Sequence, residues 1–223
     1  MIIPAYNEEN SIEKVIAEIP QGLAQEVIVA NNNSTDQTDS RAFEAGATVI
    51  TETKKGYGAA CLKALDYIAQ KPEKPDIVVF IDGDYSDYPA QMPELIRPIL
   101  EEGMDLVIGS RALGKRLRGS MTPQQIFGNK LATTLIRWFY KVEFTDLGPF
   151  RAIRYSSLLK LNMNDQNYGW TVEMQLKAAK LKMRIAEVPV DYRKRIGISK
   201  VSGTVRGTFG AGYKILSTIF KYL

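Results

Sequence analysis

A short stretch near the middle of the chain limits the folds open to it. Ile77, Val78, Val79, Phe80 and Ile81 form an unbroken apolar run rich in β-branched residues. Such a run predicts a strand covered on both faces, as in a parallel sheet. Three acids follow at its carboxyl end, Asp82, Asp84 and Asp87, and Gly83 lets the backbone bend sharply. In open α/β sheets, ligands sit beyond the carboxyl ends of the strands. Two carboxylates one residue apart in that place suit Mg²⁺ or Mn²⁺, which also holds substrate phosphates. The same tripeptide is equally a strand-ending turn, and on spacing alone both readings stand.

The rest of the chain supplies partners for that strand. Strands are predicted at 1–5, 26–30, 48–51, 105–109 and 186–192, each a short apolar or alternating run, and a turn followed by a strand and a short helix within Phe144 to Leu161. Helices are predicted between them, from Ser11 to about Ile19, Gln37 to Ala45, Ala59 to Ala69 and Pro89 to Glu102. This alternation gives βαβ units and an α/β fold with a mostly parallel central sheet flanked by helices. The second half carries a basic loop at 114–122 and a long helix from Pro123 to Tyr140, with Ile126, Leu131, Leu135 and Phe139 on one side. An amphipathic helix is expected from Thr171 to Leu181 and a basic, glycine-containing loop from Arg193 to Gly203. A terminal helix places Val205, Phe209, Tyr213, Leu216, Ile219, Phe220 and Leu223 on one face.

Composition excludes several function classes. With 45% apolar and 24% charged residues the 223-residue chain buries an ordinary core. A net charge of +4 attracts anions mildly and is too small for a nucleic-acid binder. There is no histidine, so the commonest general base and zinc ligand are missing. Proton transfer falls to carboxylates, tyrosine or the substrate. Cys61 is the single cysteine, so no intrachain disulfide forms, which fits a reducing compartment. With no signal peptide and no apolar run long enough to span a bilayer, the expected location is cytoplasmic, with the inner face of the membrane as an alternative.

Five motifs then line up in one order: residues 3–9 (Ile3 to Glu9), the polar turn from Asn31 to Asp36, Lys55-Gly-Tyr-Gly58, Asp82-Gly-Asp84 and Gly109-Ser-Arg111. Together they resemble the family 2 glycosyltransferases of GT-A fold, a Rossmann-like nucleotide-sugar-binding architecture. Residues 146–151 and 195–200 are most similar to the dolichyl- or polyprenyl-phosphate mannosyl- and glucosyltransferase branch. The resemblance spans nearly the whole chain. It implies a catalytic domain over 1–203, with a nucleotide-binding half to about 111 and an acceptor half beyond it, followed by an amphipathic helix at 204–223.

The resemblance also implies roles. Pro4, Tyr6 and Glu8 fall where the base and ribose of a nucleotide-sugar are held, and Glu8, an acceptor-only group, suits ribose hydroxyls. Asn31 and Asn32 stand where family members usually carry two Asp residues, which leaves the base open. Asp36 is read as a helix cap. Lys55 reaches the nucleotide or is solvated. Asp82 and Asp84 would hold the metal, with Ser86, in place of a common Gln, as a weaker third ligand. Arg195, Ser199 and Lys200 would clamp the diphosphate, or form a solvated basic loop. Arg111 and Arg151 suit an acceptor phosphate, because a guanidinium reads phosphate oxygens bidentately; surface ion pairs are the alternative.

The implied chemistry is a single displacement with inversion at the anomeric carbon. A lipid-phosphate acceptor is already anionic and needs no strong base, whereas a hydroxyl acceptor needs a carboxylate, with Asp146 and Glu173 as candidates. Glu173 is equally an exposed helical acid. The terminal stripe, with Arg206, Lys214 and Lys221, lies on an anionic membrane or packs against the domain or a second subunit. A nucleotidyltransferase would need a glycine-rich pyrophosphate loop near the first strand, which is missing. A non-catalytic nucleotide-sugar binder would not need both metal carboxylates and an arginine-rich acceptor side.

Overall fold

The computed structural model describes residues 1–197, 199 and 205–223, with only the backbone at 205, 206 and 208. Seven strands form one sheet: β1 (Ile2–Ala5), β2 (Ile28–Asn31), β3 (Thr48–Thr51), β4 (Ile77–Phe80), β5 (Leu106–Ser110), β6 (Arg151–Arg154) and β7 (Ile185–Pro189). Eight helices accompany them: α1 (Ile12–Ala17), α2 (Thr38–Glu44), α3 (Tyr57–Gln70), α4 (Met92–Glu101), α5 (Pro123–Tyr140), α6 (Tyr155–Leu161), α7 (Trp170–Lys180) and α8 (Val205–Lys221).

The strand order is β3-β2-β1-β4-β6-β5-β7. Successive residues of each apolar run go to opposite sides. Ile2, Ile28, Val78, Phe80, Leu106 and Ile108 pack beneath α3 and α5 to α8. Ile3, Val29, Val79, Ile81 and Val107 pack beneath α1, α2 and α4. Both faces are covered, which is why the runs lack polar alternation.

The sheet is parallel except at β6, which runs antiparallel to both β4 and β5. The direction is set at its entry. Asn129 of α5 brackets the incoming chain, its Nδ2 donating to the Thr145 carbonyl at 3.0 Å and its Oδ1 accepting from Leu147 N at 2.9 Å. Asp146 meets Arg111 just beyond β5. The chain therefore re-enters at the carboxyl edge, and the strand that follows must run away from it.

Helix α5 keeps its predicted bounds because both ends are locally determined. Thr122 and Gln125 form a reciprocal capping box ahead of Pro123, and Lys141 terminates the helix in the left-handed region at φ 56°. Its orientation corrects the sequence reading. The buried residues are Ala132, Thr133 and Ile136; of the four residues placed on one side, Leu135 packs partly buried against the core while Ile126, Leu131 and Phe139 are exposed. Helix α7 is also less amphipathic than expected, with Val172, Glu173, Met174, Gln175, Leu176 and Ala178 all buried. It lies between α5, α6 and α8 and sets Trp170 edge-on to Phe80, ring centroids 6.0 Å apart. Among the described residues no helix is long and apolar enough to cross a membrane.

Candidate active site

A cleft of about 490 Å³ opens at the carboxyl ends of β1, β2 and β4. Pro4, Tyr6 and Glu8 form one wall, Asn32, Lys55 and Tyr57 another, and Asp82 and Asp84 the floor. Arg195 and Ser199 reach in from the loop after β7. A larger hollow of about 700 Å³ lies at the other ends of the strands, where the Glu26 carboxylate pairs with Lys71 and the Glu26 carbonyl accepts from the Met1 amino group.

The first wall is a pair of loops tied together by short polar side chains. Asn7 Oδ1 accepts from Thr35 N at 2.8 Å, and Glu8 N donates to Thr38 Oγ1 at 2.8 Å. Asp36 accepts from Thr38 N and Glu9 N, so it acts as a capping residue for the start of α2. Asn31 and Asn32 divide in role. Asn31 Oδ1 accepts from Ser34 N at 3.0 Å and lies outside the cleft lining. Asn32 lines the cleft, yet its amide is engaged by Gly56 N at 2.8 Å and by the Glu52 and Lys54 carbonyls.

The glycines of Lys55-Gly-Tyr-Gly58 are explained by a close approach. A Cβ on Gly56 would stand 2.0 Å from the Gln166 carbonyl oxygen, and one on Gly58 2.0 Å from that of Asp165. Asn167 and Tyr168 thereby reach the cleft, two lining residues that carry no sequence signal. Their loop hangs on Glu173. That carboxylate is fully buried, accepts from Asn164 N and Asp165 N, pairs with Lys177 at 2.7 Å and accepts from the Tyr222 hydroxyl at 2.6 Å. Glu173 is neither an exposed helical acid nor part of the cleft lining; it is the anchor that sets the 164–168 loop. Tyr57 was also missed, although it lies between the two glycines of a recognised motif.

The floor is electrostatically unbalanced. Asp84 Oδ1 accepts from Ser86 N at 2.9 Å and from the Ser86 hydroxyl, while Oδ2 faces Arg195 Nη1 at 3.1 Å. Ser86 is fully buried and outside the cleft lining, so the structure gives it the task of orienting Asp84 and not that of a third metal ligand. Asp82 Oδ1 is shut away from solvent with no hydrogen-bond partner. Burial, and then the Asp84 charge, push the Asp82 carboxyl up to about 7, against an opposing hydrogen bond from Tyr57. An unpartnered carboxylate oxygen beside a second carboxylate fits a divalent cation. Among the described residues no group of three or more acidic or sulfur side chains converges to enclose one, so remaining ligands would come from water or phosphate.

The loop after β7 is locked onto this floor. Arg193 pairs with Glu18 at 2.7 Å, donates to the Tyr85 and Asp87 carbonyls, and lies 3.3 Å from the Tyr85 ring centroid and 4.2 Å from that of Tyr88. Ile196 N donates to the Asp84 carbonyl at 2.9 Å. Arg195 is thereby placed between Glu8, at 3.0 Å, and Asp84. Lys200 lies outside the described residues.

Two predicted acceptor residues are engaged elsewhere. Arg151 is fully buried; its guanidinium donates to the Gly148 carbonyl at 3.0 Å, Thr171 at 3.0 Å and Leu147 at 3.1 Å. Burial lowers it to about 10. It staples the turn before β6 and offers no face to an acceptor phosphate. Arg111 makes a two-pronged pair with Asp146, Nε to Oδ2 and Nη2 to Oδ1 both at 2.7 Å, and its backbone N adds a third bond at 2.8 Å. Burial alone would raise the Asp146 carboxyl, but the Arg111 charge and hydrogen bonds hold it below its usual value. A carboxylate so held is a weak proton acceptor.

The model of Glycosyl transferase family 2 matches residues 1–161. The chain belongs to glycosyltransferase family 2. It is 34% identical to an uncharacterised glycosyltransferase of Mycobacterium tuberculosis, over 93% of this chain and 91% of that one. It is 30% identical to an undecaprenyl-phosphate mannosyltransferase of Micrococcus luteus, over 92% of this chain and 88% of that one. Among solved structures, glucosyl-3-phosphoglycerate synthase of M. tuberculosis, in complex with Mn²⁺, UDP and phosphoglyceric acid, superimposes with a TM-score of 0.75 at 26% identity. That match covers 99% of this chain and 76% of that one. The enzyme is thus a glycosyltransferase with the GT-A fold.

Proposed function

We propose that this glycosyltransferase moves a hexose, with inversion, from a UDP- or GDP-linked donor to a polyprenyl phosphate. Asp82 and Asp84 would hold Mg²⁺ or Mn²⁺, which, when bound, neutralises the departing nucleoside diphosphate. Pro4, Tyr6, Glu8, Asn32 and Lys55 line the cleft, where they would hold the nucleotide. Arg195 and Ser199 approach from the opposite loop, where their donors suit the diphosphate.

One observation carries the choice of acceptor. Neither acid expected to act as a base is available: Asp146 is committed to Arg111 and Glu173 to its loop, Lys177 and Tyr222. Glu8 is paired with Arg195. A neutral hydroxyl would find none of these three acids free to take its proton, whereas a phosphate oxygen arrives already ionised and attacks directly. The Micrococcus relative, named for undecaprenyl phosphate, fits this reading. A hydroxyl acceptor is the second reading, favoured by the structural neighbour solved with phosphoglyceric acid.

The test supplies radiolabelled UDP-glucose or GDP-mannose with Mn²⁺ and offers a short polyprenyl phosphate, the matching polyprenol, or phosphoglycerate. Label is expected in the polyprenyl phosphate alone, and EDTA is expected to stop it. Transfer only to a hydroxyl acceptor, or full transfer in EDTA, would overturn the proposal.

Arg195 yields a separate prediction. Its guanidinium stands against Asp84, where it opposes an incoming cation. Arg195→Gln should tighten Mn²⁺ binding without nucleotide by about fivefold, since a part-exposed ion pair is worth ~1 kcal/mol. The same change should weaken UDP binding. Titration calorimetry measures both, and unchanged or weaker Mn²⁺ affinity would refute the opposition.

A further inference from the structure

Charge is unevenly divided along this chain. Residues 106–142 and 192–223 contain fourteen Lys and Arg and no Asp or Glu, leaving fifteen bases against all 25 acids in the remainder. A net charge of only +4 hides this separation. The two acid-free segments hold α5 and α8, which the fold sets side by side. Phe139 and Phe220 meet edge to face with centroids 5.6 Å apart, and the Tyr140 hydroxyl donates to the Ile219 carbonyl at 2.8 Å.

Each helix also turns an apolar row outward, and the two rows have the same spacing. On α5 the row is Phe127, Leu131 and Trp138, exposed by 70%, 38% and 67%. On α8 it is Phe209, Tyr213 and Phe220, exposed by 76%, 78% and 53%. Steps of four and seven residues keep each row on one side of its helix. Single exposed apolar residues are normal on a protein surface; two such rows on neighbouring helices, joined where Phe139 meets Phe220, form a patch that calls for a partner. Lys130, Arg137, Lys141 and Lys221 are exposed along the same helices, and among the described residues only Arg137 of these four has a carboxylate within ion-pair reach, Glu143 at 3.7 Å.

We propose that the outer faces of α5 and α8 together dock on an anionic membrane surface. The aromatic rows enter the interfacial region while the lysine and arginine heads stay at the level of the lipid headgroups. The acid-free segments supply the attraction to a negative surface. A symmetric dimer through this face would set the cationic segments of two copies against each other, and like charges repel. Helix α8 reaches the cleft's rim: Lys214 pairs with Asp165 at 2.8 Å, in the loop that brings Asn167 and Tyr168 to the cleft, and the second segment also carries Arg195 to Asp84. The docking surface thus adjoins the catalytic opening. It stands on exposure and charge, independently of the acceptor chosen above.

The experiment uses the full chain and vesicles of phosphatidylcholine, alone or mixed equally with phosphatidylglycerol. Flotation with the mixed vesicles only is expected, falling at least about tenfold when ionic strength is raised to about 1 M, where screening acts within ~3 Å. Trp138 reports directly, because the other tryptophan, Trp170, is buried; its emission should shift to the blue on mixed vesicles. Phe127→Ser combined with Phe209→Ser and Tyr213→Ser should cut flotation at least about tenfold without changing the melting curve. The variant should still transfer sugar to a detergent-dispersed acceptor, which separates failure of docking from failure of the transferase reading. Absence of flotation with an unshifted Trp138 overturns the proposal. A blue shift that follows protein concentration without lipid, with a dimer by light scattering, overturns it in favour of a second copy.

Discussion

Asp82→Asn is expected to give a protein that is more stable without metal and nearly inactive with it. The native carboxyl is pushed up to about 7 by burial and by Asp84, so the folded chain binds a proton more readily than the unfolded one. A group raised in this way costs nothing below its unfolded value near 4. The cost grows as pH rises through the interval from about 4 to 7 and is complete above it. The metal-free wild type should therefore melt lower at pH 8 than at pH 5. The asparagine variant should lose most of that slope and gain about 2–4 kcal/mol at pH 8, at roughly 1.36 kcal/mol per unit. Activity should fall by at least about 10³-fold, the loss of some 4 kcal/mol of transition-state stabilisation. Thermal melts in EDTA at the two pH values, paired with the transfer assay in Mn²⁺, check both halves. A variant that is less stable at pH 8, or still active, would give Asp82 a purely structural role.

Asp146→Ala should instead be expensive for the fold. It strands the Arg111 guanidinium, whose side chain is 12% exposed, and removes three hydrogen bonds at the point where the chain re-enters the sheet. Removing one partner of a buried ion pair costs about 3–5 kcal/mol, most of it the unpaired charge. Replacing both partners, as Arg111→Met with Asp146→Leu, should recover a large part of that loss. The sign with pH is opposite to that at Asp82. The Asp146 carboxyl is held below its ordinary value, so its stabilisation is present above about pH 4 and is lost as pH falls further. Urea titrations of the single and double variants at pH 7 and pH 3 measure this. Equal stability of the Asp146→Ala protein and the wild type at pH 7 would show that the pair does not fix the turn into β6.

These two carboxylates mark where sequence reading succeeds and where it stops. The Ile77 to Ile81 run announces a strand covered on both sides because each face needs its own apolar residues, and the acids after it fall at the carboxyl edge by chain order alone. The start of α5 is equally legible, since Thr122, Pro123 and Gln125 complete their cap within a few residues. Local chemistry of this kind does not depend on the rest of the molecule.

The duties of Arg151, Asp146 and Glu173 could not be read in the same way. Each depends on a group distant in the chain: the Thr171 carbonyl for Arg151, the guanidinium at the end of β5 for Asp146, and Tyr222 beyond α8 for Glu173. A charged residue carries no mark that separates a ligand contact from a buried staple.

By itself the sequence determined the strands, the paired acids and the cap that starts α5. The tertiary structure decided the reversed direction of β6 and which face of α5 meets the core. Periodicity shows which side chains travel together, but only the neighbouring elements settle which side is covered. In α5 it is the packing against α7 and α8 that covers Ala132, Thr133 and Ile136, with Leu135 and Tyr140 at its edge, and leaves Ile126, Phe127, Leu131, Trp138 and Phe139 exposed.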